Sequence, residues 1–192
     1  MEYLIKTRSI GGMTEEQFFR FCQENDSIHF ERNAMGDIVV MEPTGSETDL
    51  LNVNVVTDLA NWNRQTGSGY VFGSNAGFTL PNKAVRSPDG AFIGRLRYEA
   101  LPHDDRKKFA HICPDFIIEI LSQSDEESAL QEKMKEWMEN GCRLAWMINP
   151  IKKETIIFSQ GGGTETRPFY ELLTGEDVLP GFVLDLRKFY TL

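Results

Sequence analysis

The stretch that decides the fold is CPDFIIEILSQSD, residues 113–125, in which five apolar side chains, at 116–118 and 120–121, flank the carboxylate of Glu119. Strand side chains alternate between two faces, so both faces of this stretch are apolar and it is expected to be a central strand. A carboxylate in such a place costs several kcal/mol unless something pairs with it. The sequence therefore predicts that Glu119 has a partner. The alternatives are an arginine of the core, a proton and a metal ion.

The composition is that of one globular domain in the cytoplasm. The chain has 192 residues, 41% of them hydrophobic, and three cysteines, an odd number that argues against a disulfide framework. No apolar run approaches the ~20 residues of a membrane span, and the N-terminus lacks a signal-peptide core. The net charge of −9 argues against a protein that coats nucleic acid non-specifically, but an enzyme with a local basic groove is still possible.

Periodic patterns predict the elements on either side of this strand. Residues 13–26 form a short helix in which Thr14 and Gln17 have capping-box spacing, and residues 27–43 form a hairpin. Residues 46–65 have the apolar spacing of an amphipathic helix. Short strands are expected within residues 70–121, then a helix over 125–140, two strands over 143–160 and a closing tail. This order predicts an α/β (α+β) fold with a mixed sheet between helices.

Asp89 is the carboxylate that best fits beside Glu119. It starts a predicted strand in RSPDGAFI, and adjacent strands lie about 4.8 Å apart, so both side chains can point into one cavity. The alternative is that Asp89 is a turn residue after Pro88. Asp115 shares the face of Glu119 but lies about 13 Å away along the strand, so it is expected to mark the strand entry.

A lysine completes the candidate site. Lys133 falls within the apolar stripe of the predicted helix, one turn before Trp137, where an ammonium needs a carboxylate or an anion to face. The alternative is a lysine at the edge of the stripe that reaches out to solvent. Two carboxylates and one ammonium suit phosphodiester hydrolysis, because the carboxylates can bind Mg²⁺ or Mn²⁺ and the lysine can stabilise an anionic transition state.

In order and spacing, RSPDGAFI, PDFIIEILSQSD and KMKEWMENGCRLAWMINP resemble the PD-(D/E)xK nuclease superfamily and, more closely, its Uma-two family of restriction-endonuclease-like proteins. The likeness runs from about Pro43 to the tail. It implies a restriction-endonuclease-like αβββαβ core over residues 43–192, to which residues 1–42 add a helix and a hairpin within one domain. It also implies a homodimer and DNA as the substrate.

The resemblance also assigns roles to residues. Asp89 and Glu119 match the two metal-binding acids, and Lys133 matches the lysine, which in this family lies on the next helix; Leu121 stands at the usual lysine position. Glu47 resembles a further metal ligand, although a carboxylate at a helix start also interacts with the helix dipole. The expected function is a Mg²⁺- or Mn²⁺-dependent DNA endonuclease, and the alternatives are a catalytically silent dimeric binding module or a hydrolase of small phosphate esters.

The polar segment of residues 95–109 contains five arginines and lysines between the two candidate site strands. It can contact a phosphate backbone or close over the site. Three acidic residues dilute its positive charge, so the sequence favours a solvated loop.

Overall fold

Three β-sheets and four α-helices make up residues 2–189, the part of the chain described by the computed structural model. The helices are α1 (Glu15–Glu24), α2 (Ser46–Thr66), α3 (Arg95–Glu99) and α4 (Glu127–Glu139). The strands are β1 (Glu2–Ile5), β2 (His29–Arg32), β3 (Ile38–Met41), β4 (Gly69–Gly73), β5 (Phe78–Thr79), β6 (Val85–Arg86), β7 (Gly90–Gly94), β8 (Phe116–Ile120), β9 (Leu144–Asn149), β10 (Glu154–Ser159), β11 (Gly163–Pro168), β12 (Leu173–Thr174) and β13 (Val183–Leu184). Short 3₁₀ helices cover Arg8–Ile10, Asp105–Lys107 and Leu186–Phe189.

The main sheet has the strand order β11-β10-β9-β8-β7-β4. Strand β8 pairs antiparallel with β7 and parallel with β9, which requires a crossover connection, and α4 supplies it. In chain order α2, β4, β7, β8, α4 and β9 form the expected αβββαβ core. The predicted fold class is therefore confirmed.

Helices cover both faces of β8, which explains its apolar sequence. On one face Leu51 and Val55 of α2 belong to the same buried cluster as Phe116 and Ile118. On the other face α4 packs against a second cluster that includes Ile117. All five residues of β8 are buried, so Glu119 lies inside the molecule as the sequence predicts.

A second sheet joins the N-terminal part to the middle of the chain. Its order is β1-β3-β2-β6-β5, so the hairpin β2–β3 continues into β6, which immediately precedes the Ser-Pro-Asp motif. Helix α1 packs Phe18 against Ile38 and Val85 of this sheet, and the predicted Thr14–Gln17 capping box starts the helix. The sequence predicts the hairpin, but not that β5 and β6 pair with it rather than with the core strands.

Three other features differ from the expected elements. The segment expected to be a glycine-rich turn contains β11, and β12 and β13 form a two-stranded sheet in the tail. Helix α4 begins at Glu127 rather than Asp125, because the backbone amide of Ser122 donates to the Asp125 carboxylate and closes a turn ahead of the helix. In residues 2–189 no helix has the length and apolar character needed to cross a bilayer.

The central position of β8 predicts a large cost for truncating Ile118, which is fully buried. Ile118→Ala should lower the free energy of unfolding by about 2–5 kcal/mol, because it removes apolar contacts and leaves a cavity. Equilibrium urea unfolding measures this loss. The control is Leu96→Ala in α3, where the side chain is 83% exposed, and the change should stay within about 0.5 kcal/mol. Equal losses would contradict the central placement of β8.

Candidate active site

Asp89 and Glu119 lie side by side at one end of the β7–β8 pair. Gly90 pairs with Ile118, so Asp89, one residue earlier, lies opposite Glu119. One carboxylate oxygen of Asp89, Oδ2, accepts a hydrogen bond of 2.7 Å from the backbone amide of Ile120. Both acids line one cavity of about 1360 Å³, as the strand pattern predicts.

The glycine after Asp89 allows α2 to approach the site closely. A Cβ atom at Gly90 would lie 3.0 Å from Cγ2 of Val56, so a larger residue would crowd this side chain of α2. Asn52, one helical turn before Val56, lines the same cavity. Helix α2 therefore forms one wall of the site.

Lys133 of α4 reaches the carboxylate of Glu119. Its Nζ atom lies 2.9 Å from Oε1 of Glu119, and its side chain is only 8% exposed. The indole Nε1–H of Trp137, one helical turn further, donates to the same oxygen at 3.0 Å. The partner of Glu119 in the protein is thus a lysine, not the arginine of the alternative interpretation, and Lys133 points inward as predicted.

Asp115 lies at the other end of β8, as its distance along the strand predicts. Its Oδ1 atom pairs with Nη1 of Arg97 at 2.6 Å, and its Oδ2 atom accepts from the backbone amide of Gly94 at 2.8 Å. These contacts attach the segment after β7 to the start of β8. Asp115 therefore has a structural role outside the candidate site.

Glu31 of β2 is a member of the cluster that sequence reasoning missed. Its side chain is 1% exposed and its Oε1 atom lies 3.0 Å from Nζ of Lys133. The same oxygen accepts from the backbone amide of Ser87 at 2.9 Å, and Oε2 pairs with Nη1 of Arg86 at 2.8 Å. The sequence signal is weak, because a glutamate between Phe30 and Arg32 in a hairpin is also typical of an exposed strand face.

Arg86 connects this cluster to the outer part of α4. Besides Glu31, its guanidinium pairs with Glu136 at 2.6 Å. Burial would lower the pKa of Arg86, but its two carboxylate partners outweigh burial and raise it, so the guanidinium stays charged. Arg86 thereby partly balances the negative charge beside Glu31.

Burial and crowding of carboxylates set the protonation of the cluster. Burial raises the pKa of Glu119 to about 8, and the charges of Asp89 and Glu31 add to burial while Lys133 opposes it. Burial also raises the pKa of Asp89. Burial alone would raise the pKa of Glu31, but Lys133 and Arg86 hold it below its usual range. For Lys133, burial favours the neutral form, yet Glu119 and Glu31 raise its pKa and keep it cationic.

The donor atoms at Asp89 and Glu119 fit a hard divalent cation. Within residues 2–189, neither Oδ1 of Asp89 nor Oε2 of Glu119 has a hydrogen-bond partner. No group of three His, Cys, Asp or Glu side chains in this same part of the chain is arranged to hold a metal. Two carboxylates nevertheless suit Mg²⁺, which keeps several waters and is completed by substrate phosphates. Asp89 and Glu119 are therefore two residues that could hold such a cation.

Glu47 does not join the cluster. It lies in the first turn of α2 and is exposed, and it does not line the cavity, whereas its neighbours Thr48 and Asp49 do. Successive residues of a helix point about 100° apart. The sequence predicts the helix and its acidic first turn, but Glu47 lies on a side of that turn that does not line the cavity. The structure thus brings together Asp89, Glu119 and Lys133 but leaves Glu47 outside.

The basic residues of the polar segment 95–109 are mostly engaged within the protein. Arg95 pairs with Glu99, Arg97 with Asp115, Lys107 with Asp104, and Lys108 with Glu16. The Arg106 guanidinium lies 5.9 Å from the centre of the Tyr98 ring. Their positive charge is largely matched internally, and the segment contains α3 and a 3₁₀ helix where the sequence favours a loop.

The cavity itself is strongly acidic. Ten of its lining residues are acidic, and three are arginine or lysine. The acidic residues are Glu31, Glu42, Asp49, Asp89, Glu119, Asp125, Glu126, Glu132, Glu136 and Glu139, and the basic ones are Arg86, Lys133 and Lys135. A phosphate backbone that entered this cavity would meet net negative charge unless cations accompanied it.

Comparison with known proteins identifies relatives of both sequence and fold. The model of the Uma2 (Uma-two) family, described as "Putative restriction endonuclease", matches residues 15–187. A crystal structure described as a "putative nuclease belonging to DUF820", from Anabaena variabilis ATCC 29413, is similar in fold, with a TM-score of 0.75 and 15% sequence identity. The similarity covers 93% of this chain and 97% of that chain. A search of curated proteins gives no match. The family match starts well before Pro43, so it includes α1 and the hairpin that contributes Glu31.

Removing the charge of Lys133 should destabilise the metal-free protein. Lys133→Met leaves buried carboxylates without their shared cation, so the free energy of unfolding should fall by about 3–5 kcal/mol. Urea unfolding in a chelating buffer measures this loss. The matched control is Lys135→Met on the exposed side of the same helix, where Lys135 pairs with Glu132 and the cost should stay below about 1 kcal/mol. Similar losses in both variants would show that Lys133 is not a buried ion partner.

Proposed function

The chain belongs to the Uma2 family of putative restriction endonucleases, and from this premise we propose that it is a Mg²⁺- or Mn²⁺-dependent endonuclease that hydrolyses phosphodiester bonds of DNA. The observation that carries the proposal is the position of Asp89 directly opposite Glu119, with Lys133 on the carboxylate of Glu119. This arrangement gives two oxygen ligands for a cation next to a permanent positive charge. It suits attack of water on a phosphate diester.

Each residue has a distinct role in this proposal. Asp89 and Glu119 would hold the cation through their free oxygens, and the cation when bound supplies positive charge at the phosphate and lowers the pKa of water. Lys133 orients the attacking water and stabilises the negative charge that develops on the phosphate. The water oxygen bonds to phosphorus and gives up a proton to solvent, one P–O ester bond breaks, and the departing oxygen takes up a proton from solvent.

The position of the lysine supports the family-type site. Leu121, which occupies the usual lysine position two residues after the acid, is buried and apolar. Lys133 reaches Glu119 from α4 instead, so its ammonium can take the role of the missing lysine. The homodimer and the cytoplasmic location expected from resemblance and composition remain predictions that accompany this function.

A second candidate is the catalytically silent binding module on the same fold. The excess of acidic residues around the cavity favours it, since duplex DNA needs a positively charged surface. The free oxygens of Asp89 and Glu119 favour the enzyme, because they leave ligand positions open for a cation. The two candidates differ in whether divalent cations make the cavity competent for DNA.

Supercoiled-plasmid nicking tests the enzyme directly. The wild type should nick the plasmid with Mg²⁺ or Mn²⁺, and Asp89→Asn should reduce the rate at least about 100-fold with the fold intact by circular dichroism. The control is Asp177→Asn, an exposed carboxylate outside the cavity that pairs with Arg143 and should leave the rate unchanged. Retained nicking in Asp89→Asn would refute the assignment of Asp89.

DNA binding in Ca²⁺ separates the two candidates without turnover. Ca²⁺ takes the same oxygen ligands, so the enzyme should bind a short duplex at least about tenfold more tightly in Ca²⁺ than in a chelator, and Asp89→Asn should remove this difference. Fluorescence anisotropy of a labelled duplex measures both affinities. Equal affinities with and without Ca²⁺, together with no nicking, would favour the silent module.

A further inference from the structure

Glu31 connects the N-terminal sheet to the two halves of the candidate site. Its Oε1 atom contacts Nζ of Lys133 at 3.0 Å and accepts the backbone amide of Ser87 at 2.9 Å. Ser87 lies two residues before Asp89. One carboxylate oxygen of Glu31 therefore contacts both the segment that carries Asp89 and the lysine that pairs with Glu119. No other pair of contacts in residues 2–189 links Lys133 and this segment through one atom.

Glu31 is placed as a support and not as a metal ligand. Its Oε1 atom has two donors, and its Oε2 atom pairs with Arg86, so both oxygens are occupied. Glu31 therefore has no oxygen open for a cation, whereas Asp89 and Glu119 each keep one unpaired oxygen among the described residues. Its neighbour Arg32 projects to the opposite face of β2 and donates to the carbonyls of Met13 and Lys83, which fixes the strand.

The sharing of Lys133 between two carboxylates has a consequence for Glu119. With Glu31 charged, the ammonium is held between Oε1 of Glu31 and Oε1 of Glu119. Without that charge, Lys133 has Glu119 as its one carboxylate partner within hydrogen-bond distance among the described residues. The ammonium would then interact with Glu119 alone and compete more strongly with a cation for the Glu119 carboxylate.

We propose that Glu31 is a positioning residue of the active site, which holds Lys133 and the Ser87–Asp89 segment in the geometry needed for metal binding and water attack. This rests on the proposed function of the same site. The N-terminal hairpin is consequently part of the site rather than an addition to the nuclease core. Supporting groups of this kind contribute about 10–100-fold to metal affinity or activity.

Glu136 provides a matched control for this proposal. It pairs with the same guanidinium of Arg86 at 2.6 Å, and it bonds Asn82, but neither Lys133 nor Ser87 is among its partners. Glu31→Gln and Glu136→Gln each remove one carboxylate charge and one ion pair to Arg86. A general effect of removing a charge beside Arg86 would therefore appear in both variants, whereas a positioning effect would appear in Glu31→Gln alone.

The experiment measures Mn²⁺ binding by isothermal titration calorimetry and plasmid nicking for wild type, Glu31→Gln and Glu136→Gln. Glu31→Gln should bind Mn²⁺ at least about tenfold more weakly and lower kcat at least about tenfold with KM for DNA nearly unchanged, while Glu136→Gln stays within about threefold on each measure. Equal effects in the two variants would overturn the proposal, as would unchanged Mn²⁺ affinity in Glu31→Gln.

The two readouts separate this inference from the function on which it rests. If the wild type nicks no DNA, the endonuclease proposal fails, and the difference in Mn²⁺ affinity still decides whether Glu31 positions the site. If Glu31→Gln does not fold, Glu31→Asp is compared with Glu136→Asp in the same measurements. Glu31→Asp keeps the charge but shortens the reach, so a selective loss supports the positioning role and equal losses refute it.

Discussion

The arrangement of the site depends on the two ion pairs that the ammonium of Lys133 forms with buried carboxylates. This ammonium joins α4, β8 and β2, three elements from different parts of the chain, through Glu119 and Glu31. Buried ions are costly to remove from water, and their mutual attraction offsets this cost only in good geometry. Lys133 meets that condition because both carboxylates lie within 3.0 Å of its nitrogen. Two separate sheets are thereby held in one orientation around a single charge.

This charge arrangement also explains why the cavity can be acidic and still fit a nuclease. The fixed cations Lys133 and Arg86 are already paired with carboxylates of the protein. Under the proposed function, divalent cations held by Asp89 and Glu119 would supply the further positive charge that a phosphate needs. In such a site the binding of metal and the binding of nucleic acid strengthen each other. The cation offsets the negative charge of both the carboxylates and the phosphate, and the phosphate completes the ligands of the cation.

The sequence predicts the site where the elements are regular. Alternation along β8 places Glu119 inside, and a four-residue step on α4 places Lys133 beside Trp137, so both are visible in local periodicity. Asp89 follows from the same strand logic. Glu31 does not, because its partner lies more than half the chain away and the pairing of β2 with β6 leaves no local pattern. Glu47 lies outside the cavity lining for a different reason, since the sequence of a helix start does not reveal which way its first turn faces.

The fold shows the same division between regular and irregular segments. Helices α2 and α4 and strands β8 to β10 have clear apolar periods and were predictable from the sequence. Strand β11 reads GTETRP and is mostly exposed, so its sequence resembles a loop until β10 pairs with it. Strands β12 and β13 contain two residues each, too short for any period to appear. Their pairing depends on tertiary contacts of the tail.

The parallel pairing of β8 with β9 has a consequence for how the chain folds during synthesis. Glu31 leaves the ribosome long before Lys133, and α4 lies in the crossover that must close before β9 can dock on β8. Pairings between distant segments form slowly, because the entropy of the intervening loop is lost first. The nascent N-terminal sheet therefore remains without its buried ammonium until α4 has been translated and has packed against β8.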